Sequence, residues 1–211
     1  QHPEEVAAAW LAHRESVGRP VVVYRSVRYT WDPARARYVD DPDLELALTT
    51  WLTGILTRTR EGALTRYPTT SRALDDLYRA VRACRTVSAS PPCWVGPCTA
   101  AGAADAAPVR DLYLGPTATV HLPSRASWEP SHALFTLATA PVDLVAAAPP
   151  PARWLSFLSS LKLEPDELGL LQEWFGYCLT ADTSQQVMLL IVGPPRAGKG
   201  VVTRILQALV G

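Results

Sequence analysis

Residues 193–199 read Gly-Pro-Pro-Arg-Ala-Gly-Lys, and Gly200 follows. Two glycines with four residues between them, then a lysine, is a spacing suited to polyphosphate chemistry. Glycine lets successive backbone N–H groups turn toward one point, and lysine supplies a charge for the β- and γ-phosphates. The flanks fit the same task. The apolar run Val187 to Val192 reads as a strand, and Val201, Val202, Ile205, Leu206 and Leu209 are spaced like the buried face of a helix. Strand, glycine loop, lysine and helix make a P-loop, and the helix N-terminus adds partial positive charge. The expected ligand is ATP with Mg²⁺. The expected contacts are Gly193, Arg196, Ala197, Gly198, Lys199, Gly200 and Val201, with Lys199 as the catalytic charge. Pro194 and Pro195 have no N–H, so donation falls to residues 196–200.

A Gly/Pro turn after a buried strand can be only a turn, and it is the context that favours phosphate binding here. Lys199 is also one of two lysines in a chain of eighteen arginines. The loop departs from its pattern at Gly200, where a Ser or Thr would hold Mg²⁺. The nearest hydroxyl is on Thr203, about one turn further along. No metal ligand is therefore assigned within the chain.

The elements that must position this loop come before it. Ala152 to Leu161 and Pro165 to Leu179 read as helices, and their aromatic residues Trp154, Phe157, Trp174, Phe175 and Tyr177 suit a core better than base stacking. Further upstream, Pro3 to Ser16 reads as a helix with Val6, Trp10 and His13 on one side. Val21 to Tyr24, Val27 to Trp31 and Arg37 to Val39 read as strands, the last two joined by a turn at Asp32-Pro33. Asp43 can cap a helix whose stripe is Leu44, Leu48, Trp51, Leu52, Ile55 and Leu56. A second amphipathic helix, about Thr70 to Val87, buries Leu74, Leu77, Tyr78, Val81 and Cys84. Its other face carries Arg72, Arg79 and Arg82, with Arg85 nearer the boundary; such a face is either solvated or a nucleic-acid contact. After Pro91-Pro92, short strands are expected at Leu112 to Leu114, Thr119 to Leu122 and Leu134 to Leu137. Ala100 to Pro108 reads as a surface loop, and 146–151 as an Ala/Pro linker.

Composition narrows the classes. At 211 residues and 48% hydrophobic, the chain can build one large core or two small ones. A formal net charge of zero leaves no global basic field for nucleic acid. Cys84, Cys93, Cys98 and Cys178 do not make a secreted disulfide framework, and Cys93 and Cys98 with His121 and His132 are too loosely spaced for zinc. No apolar run approaches the ~18–20 residues of a membrane span, and no signal peptide is visible. The expected setting is cytoplasmic.

Three stretches, taken together, resemble the phage and plasmid primase–helicase family, whose motor is a superfamily-3 helicase related to the poxvirus primase–helicase. They are Arg153 to Leu158, Leu171 to Thr180, and Thr183 to Gln186 running into the loop 193–200. Pro91 to Trp94, Asp111 to Gly115 and Ala133 to Thr136 look like landmarks of the domain preceding the motor. The resemblance implies an α/β chain: an α+β region over 1–145, the linker 146–151, and the beginning of a P-loop (AAA+-like) ATPase domain over 152–211. It also implies a homo-hexameric ring acting on single-stranded or forked DNA, with no membrane partner, and it tolerates glycine after the loop lysine. The chain reads as a piece cut inside its motor, inactive alone, because no Walker B strand, sensor, arginine finger or primase metal cluster is present. A small-molecule nucleotide kinase, or a non-catalytic remnant that binds partners, stays open as an alternative.

Overall fold

The computed structural model describes residues 2–58, 63–95, 107–145 and 147–210. It is an α+β fold in two compact units, residues 1–95 with 135–137, and residues 96–134 with 138–211.

The first unit opens with α1 (Pro3–Ser16), which carries proline at its start and two acidic residues in its first turn. It stops because Gly18 adopts φ +69 and the Gly18 and Arg19 N–H groups close on the Glu15 and Arg14 carbonyls. Strands β1 (Val21–Tyr24), β2 (Val27–Asp32) and β3 (Arg37–Asp40) then form an antiparallel meander, with Val21 opposite Thr30 and Trp31 opposite Tyr38. Next come α2 (Leu44–Thr53), the hairpin β4 (Leu56–Arg58) and β5 (Leu64–Arg66), and α3 (Ser71–Arg85). They lead to β6 (Thr86–Val87), which pairs parallel to β1 and makes the sheet order β3-β2-β1-β6; β7 (Cys93–Trp94) follows.

All four residues of β1 are buried, as expected of a strand covered on both faces. Val21 joins the helical layer of Trp10, Leu11, Leu44, Leu48, Leu52 and Leu77. Val22 and Tyr24 face an aromatic layer, where Phe135 meets Tyr24, Tyr29 and Tyr38 edge-on at 5.3–5.7 Å. Burial there pushes the Tyr38 hydroxyl well above its ordinary pKa. Between α1 and β2, Arg14 donates to Thr30 Oγ1 at 3.0 Å, and Thr30 donates to Asp41 at 2.6 Å.

In the second unit a 3₁₀ turn (Val109–Asp111) leads into β8 (Leu112–Leu114), β9 (Thr119–His121) and β10 (Ser127–Trp128), an antiparallel sheet in the order β10-β9-β8. Strand β11 (Leu134–Phe135) follows, with Phe135 belonging to the first unit. The second unit continues with α4 (Ala152–Ser160), α5 (Pro165–Cys178) and α6 (Lys199–Val210). Gly115, after β8, is required by space: a Cβ would stand 2.5 Å from Asp143 Oδ1 and 2.9 Å from the Ala118 carbonyl. Residues 147–151 lie within this unit, and Ala146 falls outside the described residues.

Several local expectations need correction. Leu56 is exposed in β4 and does not extend the α2 stripe, because the Gly54 and Ile55 N–H groups turn back to the Trp51 and Leu52 carbonyls and end the helix. Asp43 precedes α2 without a side-chain capping bond. Cys84 is exposed on α3, and the smaller Ala80 takes the buried place beside Leu77 and Val81. Most consequentially, residues 187–192 form no strand: they carry no ladder, and Val187, Met188, Leu190 and Val192 are 61%, 87%, 80% and 83% exposed. A strand exists through its paired neighbour, and among the described residues nothing pairs with this segment.

Candidate functional site

Helix α6 begins at Lys199, directly after the turn that the glycine spacing requires. Gly198 adopts φ +82 and Arg196 φ +64, so two of three successive residues are left-handed. This is inexpensive for glycine and costs about 1 kcal/mol or more for a residue with a Cβ. Among the described residues, the backbone N–H groups of Arg196, Gly198, Lys199 and Gly200 have no acceptor, while Ala197 N–H makes a long 3.4 Å bond to the Pro194 carbonyl. The Val201 and Val202 N–H groups both close on the Gly198 carbonyl, at 2.9 and 3.2 Å, and start the helix. Of the seven expected contacts, Arg196, Gly198, Lys199 and Gly200 therefore carry available donors, and the Val201 donor is spent inside the helix.

The Lys199 ammonium reaches back across the loop and donates to the Gly193 and Pro194 carbonyls at 2.7 and 2.8 Å. The side chain thus folds over the same concave stretch that its position in the motif predicts. Thr203 points elsewhere: its hydroxyl donates to the Lys199 carbonyl one turn back along α6, at 2.8 Å. Arg204 likewise turns back on its own helix, donating from Nε to the Gly200 carbonyl at 2.9 Å.

The loop rests on α4 and borders α5. A Cβ at position 198 would lie 2.8 Å from Leu161 Cδ2 and 3.0 Å from Phe157 Cε2 and Cζ. Phe157 is stacked on Trp154 at 5.5 Å, and Trp154 on Phe175 at 5.7 Å, so these rings pack against one another, but all of them, with Trp174 and Tyr177, are only half-buried and do not form the closed core that the sequence suggested. Beside the loop lies a cleft of 320 Å³ whose apolar wall includes Leu170, Leu171, Ile191 and Val202, with Lys199 and Glu167 supplying its charge. Glu167 is held by the Glu164 N–H at 2.9 Å, at the start of α5. The sequence reading missed Phe157, Leu161 and Glu167 as neighbours of the loop. The i, i+4 spacing of 157 and 161 puts them on one face but carries no sign of what that face meets.

The donor set does not fit a protein-held Mg²⁺. Gly200 offers no oxygen, Thr203 is turned to its own helix, and among the described residues no three His, Cys, Asp or Glu side chains gather. Cys98, named with the loose zinc spacing, lies outside the described residues, as do residues 100–106 of the Ala-rich loop. The Cys93 thiol is half-buried, which raises its pKa, and it donates to the Ala89 carbonyl at 3.7 Å.

Three of the four α3 arginines, all but Arg72, have structural partners among the described residues. Arg85 pairs with Glu15 of α1, Arg82 donates to Ser26 Oγ at 3.4 Å, and Arg79 lies 3.6 Å from Asp76. Among the described residues no helix is long and apolar enough to cross a membrane. No protein-family model and no curated protein sequence matches the chain.

Proposed function

We propose that residues 193–200 bind the phosphates of ATP, and that the chain is the ATP-binding part of a phage- or plasmid-type primase–helicase acting on DNA. The observation that carries the phosphate site is the combination of left-handed Arg196 and Gly198, four available N–H groups, and Lys199 folded over the same loop. Such a nest of N–H groups at a helix start favours an anion, and the ammonium would exchange two carbonyls for phosphate oxygens. The helicase assignment, including its hexameric ring, rests on the sequence resemblance alone; the proposed cytoplasmic setting rests on the lack of a recognisable signal peptide or membrane-spanning run in the sequence.

Lys199→Ala tests the site. It removes the charge while the backbone cradle stays, so ATP affinity should fall by at least about tenfold, the loss of one charge-assisted contact. Isothermal titration with ATP measures this, and circular dichroism should show unchanged helix content. Equal affinity in the variant would remove the phosphate-loop reading. In the full-length protein, DNA-stimulated ATP hydrolysis that disappears with Lys199→Ala would support the motor. Transfer of phosphate to a nucleoside monophosphate would support a kinase in its place.

A further inference from the structure

We propose that Phe157 of α4 and Leu161, the residue that caps its C-terminus, are positioning residues for the phosphate-binding loop, walls that keep Gly198 in the left-handed conformation the loop needs. The proposal rests on the reading of residues 193–200 as a nucleotide-binding loop and adds to it the part of the fold that sets the loop's shape.

Glycine alone does not set that shape. With no Cβ it populates both signs of φ with similar ease, so a glycine at 198 permits the bend without enforcing it. Enforcement must come from what surrounds it. A Cβ at position 198 would stand 3.0 Å from the Phe157 ring edge and 2.8 Å from the Leu161 methyl, closer than such carbons come unless a side chain shifts. The loop backbone therefore lies directly on α4. Leu161 caps α4 with helical backbone angles, four residues after Phe157, so the two side chains present one continuous ridge to the loop.

The ridge is itself held. Phe157 stacks on Trp154 with an interplanar angle of 25°, and Trp154 stacks on Phe175 of α5 at 30°. Leu161 ends α4, its N–H bonded to the Leu158 carbonyl at 3.1 Å. A run of rings thus connects α5 through α4 to Gly198, and neither Phe157 nor Leu161 carries a polar group that could itself contact phosphate. Their role is to act through the loop's N–H groups, which is what preorganisation of a binding site requires.

Two substitutions at 157 separate this role from general packing. Phe157→Tyr keeps the aromatic stack and adds an oxygen on the ring edge that faces Gly198. Phe157→Met gives up the stack but leaves a long, adaptable side chain able to fill the contact. ATP affinity of the 211-residue chain is measured by isothermal titration, with thermal midpoint and near-ultraviolet circular dichroism on the same samples. Phe157→Tyr and Leu161→Ala should weaken ATP about tenfold, the scale of a loop misplaced by a fraction of an ångström. The tyrosine variant should keep its midpoint. Phe157→Met should lower the midpoint yet bind ATP within about threefold of wild type. Affinity that simply follows the midpoint across the variants, or Phe157→Tyr and Leu161→Ala binding as wild type does, overturns the positioning role. Lys199→Ala is the control that isolates the underlying reading: no ATP binding by the wild-type chain, or undiminished binding by Lys199→Ala, sinks the loop itself, whereas loss in Lys199→Ala with normal Phe157→Tyr and Leu161→Ala sinks only the role of α4.

Discussion

Space does not explain why Gly200 lacks a side chain. A Cβ built there meets nothing within 4 Å, in contrast to Gly198 two residues earlier. A hydroxyl at 200 would therefore fit the helix without strain, and Gly200→Ser should make ATP affinity more dependent on Mg²⁺ than in the wild type. Thr203→Ala should leave that dependence unaltered, since the Thr203 hydroxyl is directed to the Lys199 carbonyl. Titrating ATP with and without Mg²⁺ in the three proteins checks both statements, and a collapse of binding in Thr203→Ala would show Thr203 to be a direct ligand. At this scale the sequence was informative about donors and silent about walls. The spacing of glycine, lysine and proline specifies which N–H groups exist, but contact between Phe157 and Gly198 depends on how two helices pack, which no local pattern encodes. The same holds for Asp143. Its carboxylate accepts from the Thr117 hydroxyl at 2.6 Å and the Thr117 N–H at 3.0 Å, and those bonds hold its pKa below the ordinary value. A depressed folded-state pKa stabilises above the unfolded value of about 4, and that contribution is lost as pH falls through the folded value. Thermal midpoints from pH 6 downward should thus fall less steeply in Asp143→Asn than in the wild type; parallel curves would show the carboxylate to be irrelevant to acid stability.

Elements were legible where periodicity was long or capping chemistry was explicit. The pattern from Pro3 to Ser16 matches α1 residue for residue, and Thr70 caps α3 by accepting from the Ala73 N–H at 3.4 Å. The short strands around Val21 and Leu112 were readable from their β-branched and aromatic runs. Ends were less legible, because a helix stops where its last N–H groups find other carbonyls, as at Gly54, and the apolar stripe simply continues into the next element. The turn between β1 and β2 carries a different lesson. Its two central residues, Arg25 and Ser26, have φ +49 and +68, the signature of a two-residue type I′ hairpin. Neither is glycine or asparagine, so this turn stores avoidable strain. Replacing Arg25-Ser26 by Asn-Gly should stabilise the first unit by about 1 kcal/mol, or roughly 4–8 °C for a domain of this size. The replacement would also remove the Ser26 Oγ that Arg82 donates to at 3.4 Å and the Arg25 guanidinium 5.2 Å from the Tyr24 ring, exposed contacts that offset part of the gain. A melting temperature unchanged or lowered in the double variant would show that the strain is compensated elsewhere.

The two units of the molecule are unequal in burial. The first has two cores on the faces of one sheet; the second buries Leu112, Tyr113, Thr119 and Leu134 near its small sheet, but from residue 138 onward only Leu171 and Val202 are buried among the described residues. Along 187–192 the apolar residues are spread over both alternating sets and exposed on both, the composition of a strand meant for the middle of a parallel sheet. Here the sequence and the structure disagree for a definite reason. Composition announces the strand, but the ladder that realises it requires neighbours that the described residues do not contain. An unpaired, uncharged, β-prone segment of this length is a template for pairing with another chain. The 211-residue chain should accordingly self-associate as its concentration rises, and the association should run through this segment. Met188 and Leu190 lie two residues apart, so in an extended chain they occupy one face, and both are at least 80% exposed. Met188→Lys with Leu190→Lys places two like charges on that face, which opposes stacking of copies and removes no buried contact. Sedimentation velocity over a range of concentrations should show the double variant monomeric where the wild type forms larger species. A wild-type chain that stays monomeric at the highest concentration, or a variant that associates just as strongly, would mean the exposed run is not the adhesive surface.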